Sequence, residues 1–133
     1  MATETILENE YFRIVFHTRT KILHHKTLKF TDGDAFRTLL LTGTATLAKY
    51  GGCKWLSDDR LQSAIPQADL NWADTVWFPK TVEAGWKFWA LVLPENVVGQ
   101  MNLKRVLRLH TEEGVTTKAF TDEYEAMRWL EDC

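Results

Sequence analysis

The chain has 133 residues, of which 45% are hydrophobic and 26% are charged, and its formal net charge is −2 at pH 7. This composition is that of an ordinary folded protein, and the length is enough for one domain with a core that needs no disulfide or metal. The slightly negative charge argues against non-specific nucleic-acid binding, which requires a basic surface. We therefore expect a single domain, residues 1–133, without a nucleic-acid partner.

The two cysteines and the apolar runs indicate a compartment. Cys53 and Cys133 have no metal-ligand spacing, and we expect free thiols in a reducing environment. The first ten residues lack the apolar stretch of a signal peptide, and no run approaches the roughly 18 apolar residues of a membrane span. These features predict a cytoplasmic protein without a membrane span.

The first part of the chain predicts a hairpin and then a helix. Tyr11–His17 and Ile22–Phe30 are rich in β-branched and aromatic residues, and a short polar turn separates them, which is typical of two antiparallel strands. Thr31 is placed to cap a helix whose apolar residues recur at helical spacing as far as Tyr50. Gly51 then provides the left-handed residue that ends many helices.

The rest of the chain alternates strand and helix. Cys53–Asp58 is predicted to be the central strand, and Pro66 begins a helix that Pro79 should break or restart. Trp86–Leu93 is almost wholly apolar, which is typical of a strand buried on both faces of a parallel sheet. The last predicted elements are a helix capped by Asn96 and running to about Glu113, a strand Val115–Phe120, and a helix capped by Thr121 or Asp122.

This order of elements, β-β-α-β-α-β-α-β-α, predicts an α/β fold. Strands separated by helices form parallel pairs through right-handed crossovers, whereas the initial hairpin is antiparallel. We therefore expect a five-stranded mixed sheet, antiparallel at its first strand, with the helices packed on it.

Several segments of the chain have a familiar combination of residues. They are Trp55-Leu-Ser-Asp-Asp-Arg60, Trp72 with Trp77-Phe-Pro79, Ala84-Gly-Trp-Lys87, Ala90-Leu-Val-Leu-Pro94, Phe120-Thr-Asp122 and Ala126-Met-Arg-Trp-Leu130. Together they resemble the SpoIIAA-like fold, which is shared by the STAS domains of anti-sigma-factor antagonists and by the CRAL-TRIO lipid-exchange domains. The resemblance covers most of the chain and implies a sheet whose β-α units wind as a superhelix, but it implies no particular activity.

Ser57, Asp58, Asp59 and Arg60 are the leading candidates for a site. They follow a predicted buried strand, and ligands of open α/β sheets bind at the carboxyl ends of strands. The two carboxylates and Arg60 would then face a ligand or partner. The structural alternative is a capping Asp and an Asp–Arg ion pair that holds the loop.

Tryptophans near these residues have two interpretations. Trp72, Trp77 and Trp86 lie at the ends of predicted elements, and with Trp89 they would line an apolar pocket beside the charged cluster. Alternatively they are ordinary core residues.

The helix after Asn96 carries apolar residues on more than one face. Either the helix is unusually enclosed or its outer side contacts a partner. The candidate interface residues are Val98, Met101, Leu103 and Val106.

The remaining chemistry favours a role other than catalysis. His24 and His25 are adjacent on a strand, so they face opposite sides and cannot chelate one ion together. We find no metal-ligand spacing, phosphate loop or nucleophile–base pair, and we expect no cofactor and no metal. The sequence thus favours a STAS-like interaction or regulatory module that binds a protein partner or itself. The alternative is a carrier or sensor of a small apolar or anionic, lipid-like ligand, bound between Trp55–Arg60 and the helix with Trp72 and Trp77.

Overall fold

A computed structural model of the chain describes residues 2–110 and 114–133, and for residues 107–110 it describes the backbone alone. A π-helical turn, Ala73–Trp77, joins α2 to α3. The elements in chain order are β1 Thr3–Glu8, β2 Phe12–His17, β3 Ile22–Thr27, α1 Gly33–Tyr50, β4 Lys54–Asp58, α2 Gln67–Trp72, α3 Phe78–Glu83, β5 Phe88–Val92, α4 Val97–His110, β6 Thr116–Phe120 and α5 Glu123–Asp132.

The strands form one mixed sheet in the order β1-β2-β3-β4-β5-β6. The first three are antiparallel neighbours, and β3 to β6 are parallel. The expected α/β fold, antiparallel hairpin and parallel later strands are confirmed. The expected count of five strands is wrong because β1 adds a sixth at the edge. Most of its residues are exposed, so β1 lacks the apolar alternation that marks a strand in sequence.

Helices cover the two faces of the sheet unequally. The larger core lies under α1, the helical segment from α2 to α3, and α4. The smaller core lies under α5, whose Ala126 and Leu130 are fully buried. Since side chains alternate along a strand, neighbouring residues of one strand enter different cores. On β4, Trp55 belongs to the larger core and Leu56 to the smaller.

Pro79 restarts the helical segment, as the sequence predicts. It lies in the first turn of α3, directly after the π-helical turn. Proline has no N–H to donate and its ring crowds the carbonyl four residues earlier. The π-helical turn, whose hydrogen bonds span five residues, immediately precedes this first turn of α3.

Helix caps agree with the sequence at two of three positions. The Gly99 N–H donates to Asn96 Oδ1 at 2.9 Å, and the Glu125 N–H donates to Asp122 Oδ2 at 3.1 Å. Thr31 does not cap α1, because its hydroxyl donates to the Lys29 carbonyl instead. The predicted end of α4 at about Glu113 lies outside the described residues.

Candidate functional site

The carboxyl end of β4 divides the predicted charged cluster between the two faces of the sheet. Ser57 and Asp59 line a cavity on the side of the larger core. Asp58 and Arg60 lie on the other side, where Arg60 reaches Glu123 at the start of α5. The alternation of side chains along an extended chain explains this division. The structure therefore does not bring the four residues to one ligand.

The cavity lies between the sheet and the helices α1, α2 and α4, and its volume is about 50 Å³. Such a volume holds a few water molecules. Its wall is mainly apolar, with polar groups at the sheet side. The polar residues are His25, Thr27, Ser57, Asp59 and Gln62, and the larger apolar residues include Phe36, Leu39, Leu70, Trp77, Trp89 and Leu103.

A chain of hydrogen bonds crosses the polar side of this wall. Trp55 Nε1–H donates to His25 Nδ1 at 2.9 Å, so the ring hydrogen of His25 lies on Nε2. That nitrogen donates to Asp59 Oδ1 at 3.0 Å, which also accepts the Thr27 hydroxyl at 2.9 Å. Each of these residues is buried. The arrangement fixes the orientation of His25 and leaves neither ring nitrogen for proton transfer.

Ser57 is not activated as a nucleophile. Its Oγ accepts the Trp89 Nε1–H at 2.9 Å, whereas the nitrogens of His25 are bonded to Trp55 and Asp59. A serine nucleophile needs a base within hydrogen-bond reach. Among the described residues of the cavity wall, His25 therefore does not serve Ser57 as a base.

Trp77 lines the cavity and carries a buried donor. The residue is 5% exposed, and its Nε1 has no hydrogen-bond partner among the described residues. An unpaired buried N–H group costs about 1–3 kcal/mol. A hydrogen-bond acceptor within reach of this nitrogen would remove that cost.

The remaining candidate tryptophans have different surroundings. Trp86 is buried among other aromatic rings, with centroid distances of 5.7 Å to Trp55 and 5.0 Å to Trp77. Trp72 is half-buried and packs at 6.5 Å from Phe36. Trp86 is therefore a core residue, and Trp72 lies outside the cavity.

Ionic groups on the opposite face form a compact cluster. The Arg60 guanidinium donates to both oxygens of Asp58, at 2.9 and 2.7 Å, and to Glu123 Oε2 at 2.9 Å. Burial opposes ionisation of Asp58, but hydrogen bonds from Arg60 and Glu123 outweigh it and hold its pKa well below the usual range. The hydrogen bond with Asp58, burial and the Asp58 charge together raise the pKa of Glu123 to about 7.

His24 completes this cluster. Its Nε2 lies 3.8 Å from Glu123 Oε1, and its Nδ1 lies 3.1 Å from His17 Nε2. Burial is the largest cause that lowers the pKa of His24 to about 4, and the neighbouring imidazoles of His17 and His25 lower it further. The sequence does not show that His24 and Glu123 lie beside Asp58, because His24 precedes Asp58 by 34 positions and Glu123 follows it by 65.

The four candidate interface residues on α4 divide into two faces. Val98 and Met101 are exposed, at 63% and 68%. Leu103 is buried in the larger core, and Val106 packs against it. The side chains of Leu107 and Leu109 lie outside the described residues.

Two further expectations concern thiols and membranes. Cys53 is half-buried and Cys133 is exposed, and both are free thiols as predicted. Within the described ranges, the helices are all too short or too polar to cross a membrane.

Comparison of the chain with protein-family models, with curated proteins and with solved structures gave no match in any of the three searches.

Proposed function

We propose that the chain is a non-enzymatic interaction module that binds a second copy of itself through the outer face of α4. The observation that carries this proposal is the exposure of three large apolar side chains in the first two turns of the helix. Val97 is 68% exposed and lies beside Val98 and Met101. Leu61, which is 51% exposed, lies in the loop against which the start of α4 packs, where the Glu95 N–H bonds to the Arg60 carbonyl. Clustered apolar side chains rimmed by polar residues mark interaction surfaces.

Charges around this surface favour a second copy as the occupant. Glu95 precedes the apolar turns, and Lys104 and Arg105 follow them on α4. Two α4 helices that cross antiparallel near Met101 would stack apolar residues on apolar residues. They would also bring each Glu95 towards the basic end of the other helix. A two-fold interface of this kind is self-complementary, and homodimers of this symmetry are the commonest oligomers.

The resemblance to STAS domains is a second support, because the implied superhelix of β-α units is consistent with parallel strands β3 to β6. We therefore include a STAS-like fold in the proposal. A protein of this kind functions by binding a partner and does not catalyse a reaction.

The test is the oligomeric state of the chain and of Met101→Glu. We expect a dimer at micromolar concentration by sedimentation velocity, and a monomer for Met101→Glu, because the variant buries a charge at the centre of the interface. Tyr124→Glu is the matched control, since Tyr124 is 66% exposed on α5 and should leave the dimer intact. A wild-type chain that stays monomeric at high concentration would contradict the proposal.

The unpaired Trp77 N–H favours a second candidate function, which is binding of a small molecule in the cavity. The ligand would accept a hydrogen bond from Trp77 and lie against the apolar wall, with its polar end near Asp59. Arg60 would have no part in it, because Arg60 lies on the other face of the sheet. The volume of about 50 Å³ suits a molecule of a few heavy atoms and excludes a whole lipid chain in this conformation.

Native mass spectrometry of the freshly purified protein tests this second function. We expect an adduct of defined mass that is lost in Trp77→Phe and kept in Trp129→Phe, a partly buried tryptophan that packs in the smaller core. If both variants keep the adduct, the adduct binds outside the cavity. If the wild-type chain carries no adduct, the proposed ligand binding is contradicted.

A further inference from the structure

The face of the sheet covered by α5 holds a group of potential metal ligands that the proposed interaction does not use. One ligand atom from each of His24, Asp58 and Glu123 lies within 4.8 Å of the other two. The three residues come from β3, the last position of β4 and the first position of α5. Neighbouring parallel strands and the helix after the sheet thus bring one imidazole and two carboxylates together.

We propose that His24, Asp58 and Glu123 bind a divalent transition-metal ion of the Zn²⁺ class. Their donor set is one nitrogen and two oxygens, which suits Zn²⁺, Mn²⁺ or Fe²⁺ better than Mg²⁺ or Ca²⁺, since the latter two take oxygen ligands. Three protein ligands leave coordination positions open for water or for a small ligand.

The ring of His24 is arranged as a metal ligand requires. Its Nε2 is buried and has no hydrogen-bond partner among the described residues, and it faces the Glu123 carboxylate at 3.8 Å. Its other nitrogen is held by His17 Nε2 at 3.1 Å. A metal-bound histidine characteristically uses its second ring nitrogen in a hydrogen bond that fixes the ring. Here the Nδ1–H of His24 would donate and His17 Nε2 would accept.

The carboxylates keep oxygen lone pairs for an ion. Arg60 bonds to Glu123 Oε2, whereas the other oxygen, Oε1, faces His24. Asp58 Oδ1 accepts both the side-chain Nε–H and the backbone N–H of Arg60, whereas Oδ2 accepts one guanidinium N–H and keeps its second lone pair. Arg60 orients both carboxylates and also repels a cation, so we expect micromolar affinity rather than that of a structural zinc site.

Closure of the site requires a small movement. Bond lengths of about 2.0–2.2 Å place ligand atoms on zinc about 3–3.5 Å apart. The ligand atoms lie within 4.8 Å of one another, so they must approach by at most roughly 1.5 Å. Glu123 has the freedom for this, since its side chain is 33% exposed in the first turn of α5.

Zinc titration by calorimetry tests the proposal, with untagged, chelator-treated protein in a Cys53→Ser, Cys133→Ser background that excludes thiol binding. We expect one zinc ion per chain, at least tenfold weaker binding in His24→Gln and in Glu123→Gln, and no effect of a large excess of Mg²⁺. Glu125→Gln is the matched control, because Glu125 lies in the same turn of α5 and is exposed. Circular dichroism verifies that each variant is folded.

Co²⁺ in place of zinc gives an independent readout, because its visible absorption reports the ligand set. We expect a spectrum of nitrogen and oxygen coordination that His24→Gln abolishes. Absence of stoichiometric zinc binding, or equal binding by the parent, His24→Gln and Glu123→Gln, would overturn the proposal.

Discussion

Gly43 in α1 lies against the most enclosed tryptophan of the larger core, and Gly43→Ala is therefore a sharp test of the packing. A Cβ built on Gly43 lies 2.7 Å from Trp55 Cζ2 and 2.9 Å from Leu23 Cδ2, and it lies closer still to Trp55 Cη2. Carbon atoms in favourable contact are about 3.5–4.0 Å apart. The added methyl group would overlap both side chains.

Neither neighbour can yield without further cost. Trp55 and Leu23 are fully buried, and the Trp55 ring is in contact with Trp77 and Trp86 at centroid distances of 5.3 and 5.7 Å. Its N–H is bonded to His25. Overpacking of a tight core costs about 1–3 kcal/mol or more, and alanine regains about 1 kcal/mol over glycine in a helix. Because the overlap with Trp55 and Leu23 is severe, the upper end of that cost applies, about 3 kcal/mol or more, and Gly43→Ala should lower the free energy of unfolding by about 2 kcal/mol or more.

Urea unfolding followed by far-UV circular dichroism measures this change. In a Trp55→Phe background the ring atoms nearest the new methyl group are absent, so the additional loss from Gly43→Ala should shrink by about 2 kcal/mol. Ala48→Gly, at an exposed position of α1, should lose only the helix-propensity difference of about 1 kcal/mol. A Gly43→Ala variant as stable as the wild type would refute the reasoning.

Three further predictions concern the polar clusters. Arg60→Ala should lower the free energy of unfolding by about 2 kcal/mol or more, because Asp58, which is 1% exposed, loses its counter-charge. Urea unfolding measures this change, and a loss under about 0.5 kcal/mol would contradict the prediction. In metal-free buffer, protonated Glu123 stabilises the folded state at low pH because its pKa is raised on folding. This contribution to the free energy of unfolding is lost as the pH rises through about 7. The lowered pKa of His24 acts in the opposite direction. Neutral His24 stabilises the folded state above pH 6.5, and this contribution to the free energy of unfolding is lost as the pH falls towards 4. Stability of Glu123→Gln should accordingly rise more steeply than that of the wild type between pH 4.5 and 7, and parallel thermal-unfolding profiles would count against this balance. Asp59→Asn should cost about 1.5–3 kcal/mol in chemical unfolding, since it weakens the bonds from His25 and Thr27, and it should leave the oligomeric state unchanged.

Local pattern was sufficient for most elements of the fold. Helix spacing, Gly51, Asn96 and Asp122 define the ends of helices through interactions within a few residues. The run from Phe88 to Val92 is apolar on both sides because helices cover both faces of the sheet there. Such features depend on neighbours in the chain, which a sequence shows directly.

Only the tertiary structure decided the sixth strand and the composition of the sites. The exposed strand β1 forms because it pairs with β2, and its own residues have no apolar alternation that would predict a strand. The sequence identified Asp58 and Asp59 as candidates, but the alternation along β4 sends one towards Glu123 and the other towards His25. Those partners lie tens of residues away. Which distant side chain meets a given carboxylate depends on the order and register of the strands, and these follow from packing the whole sheet at once.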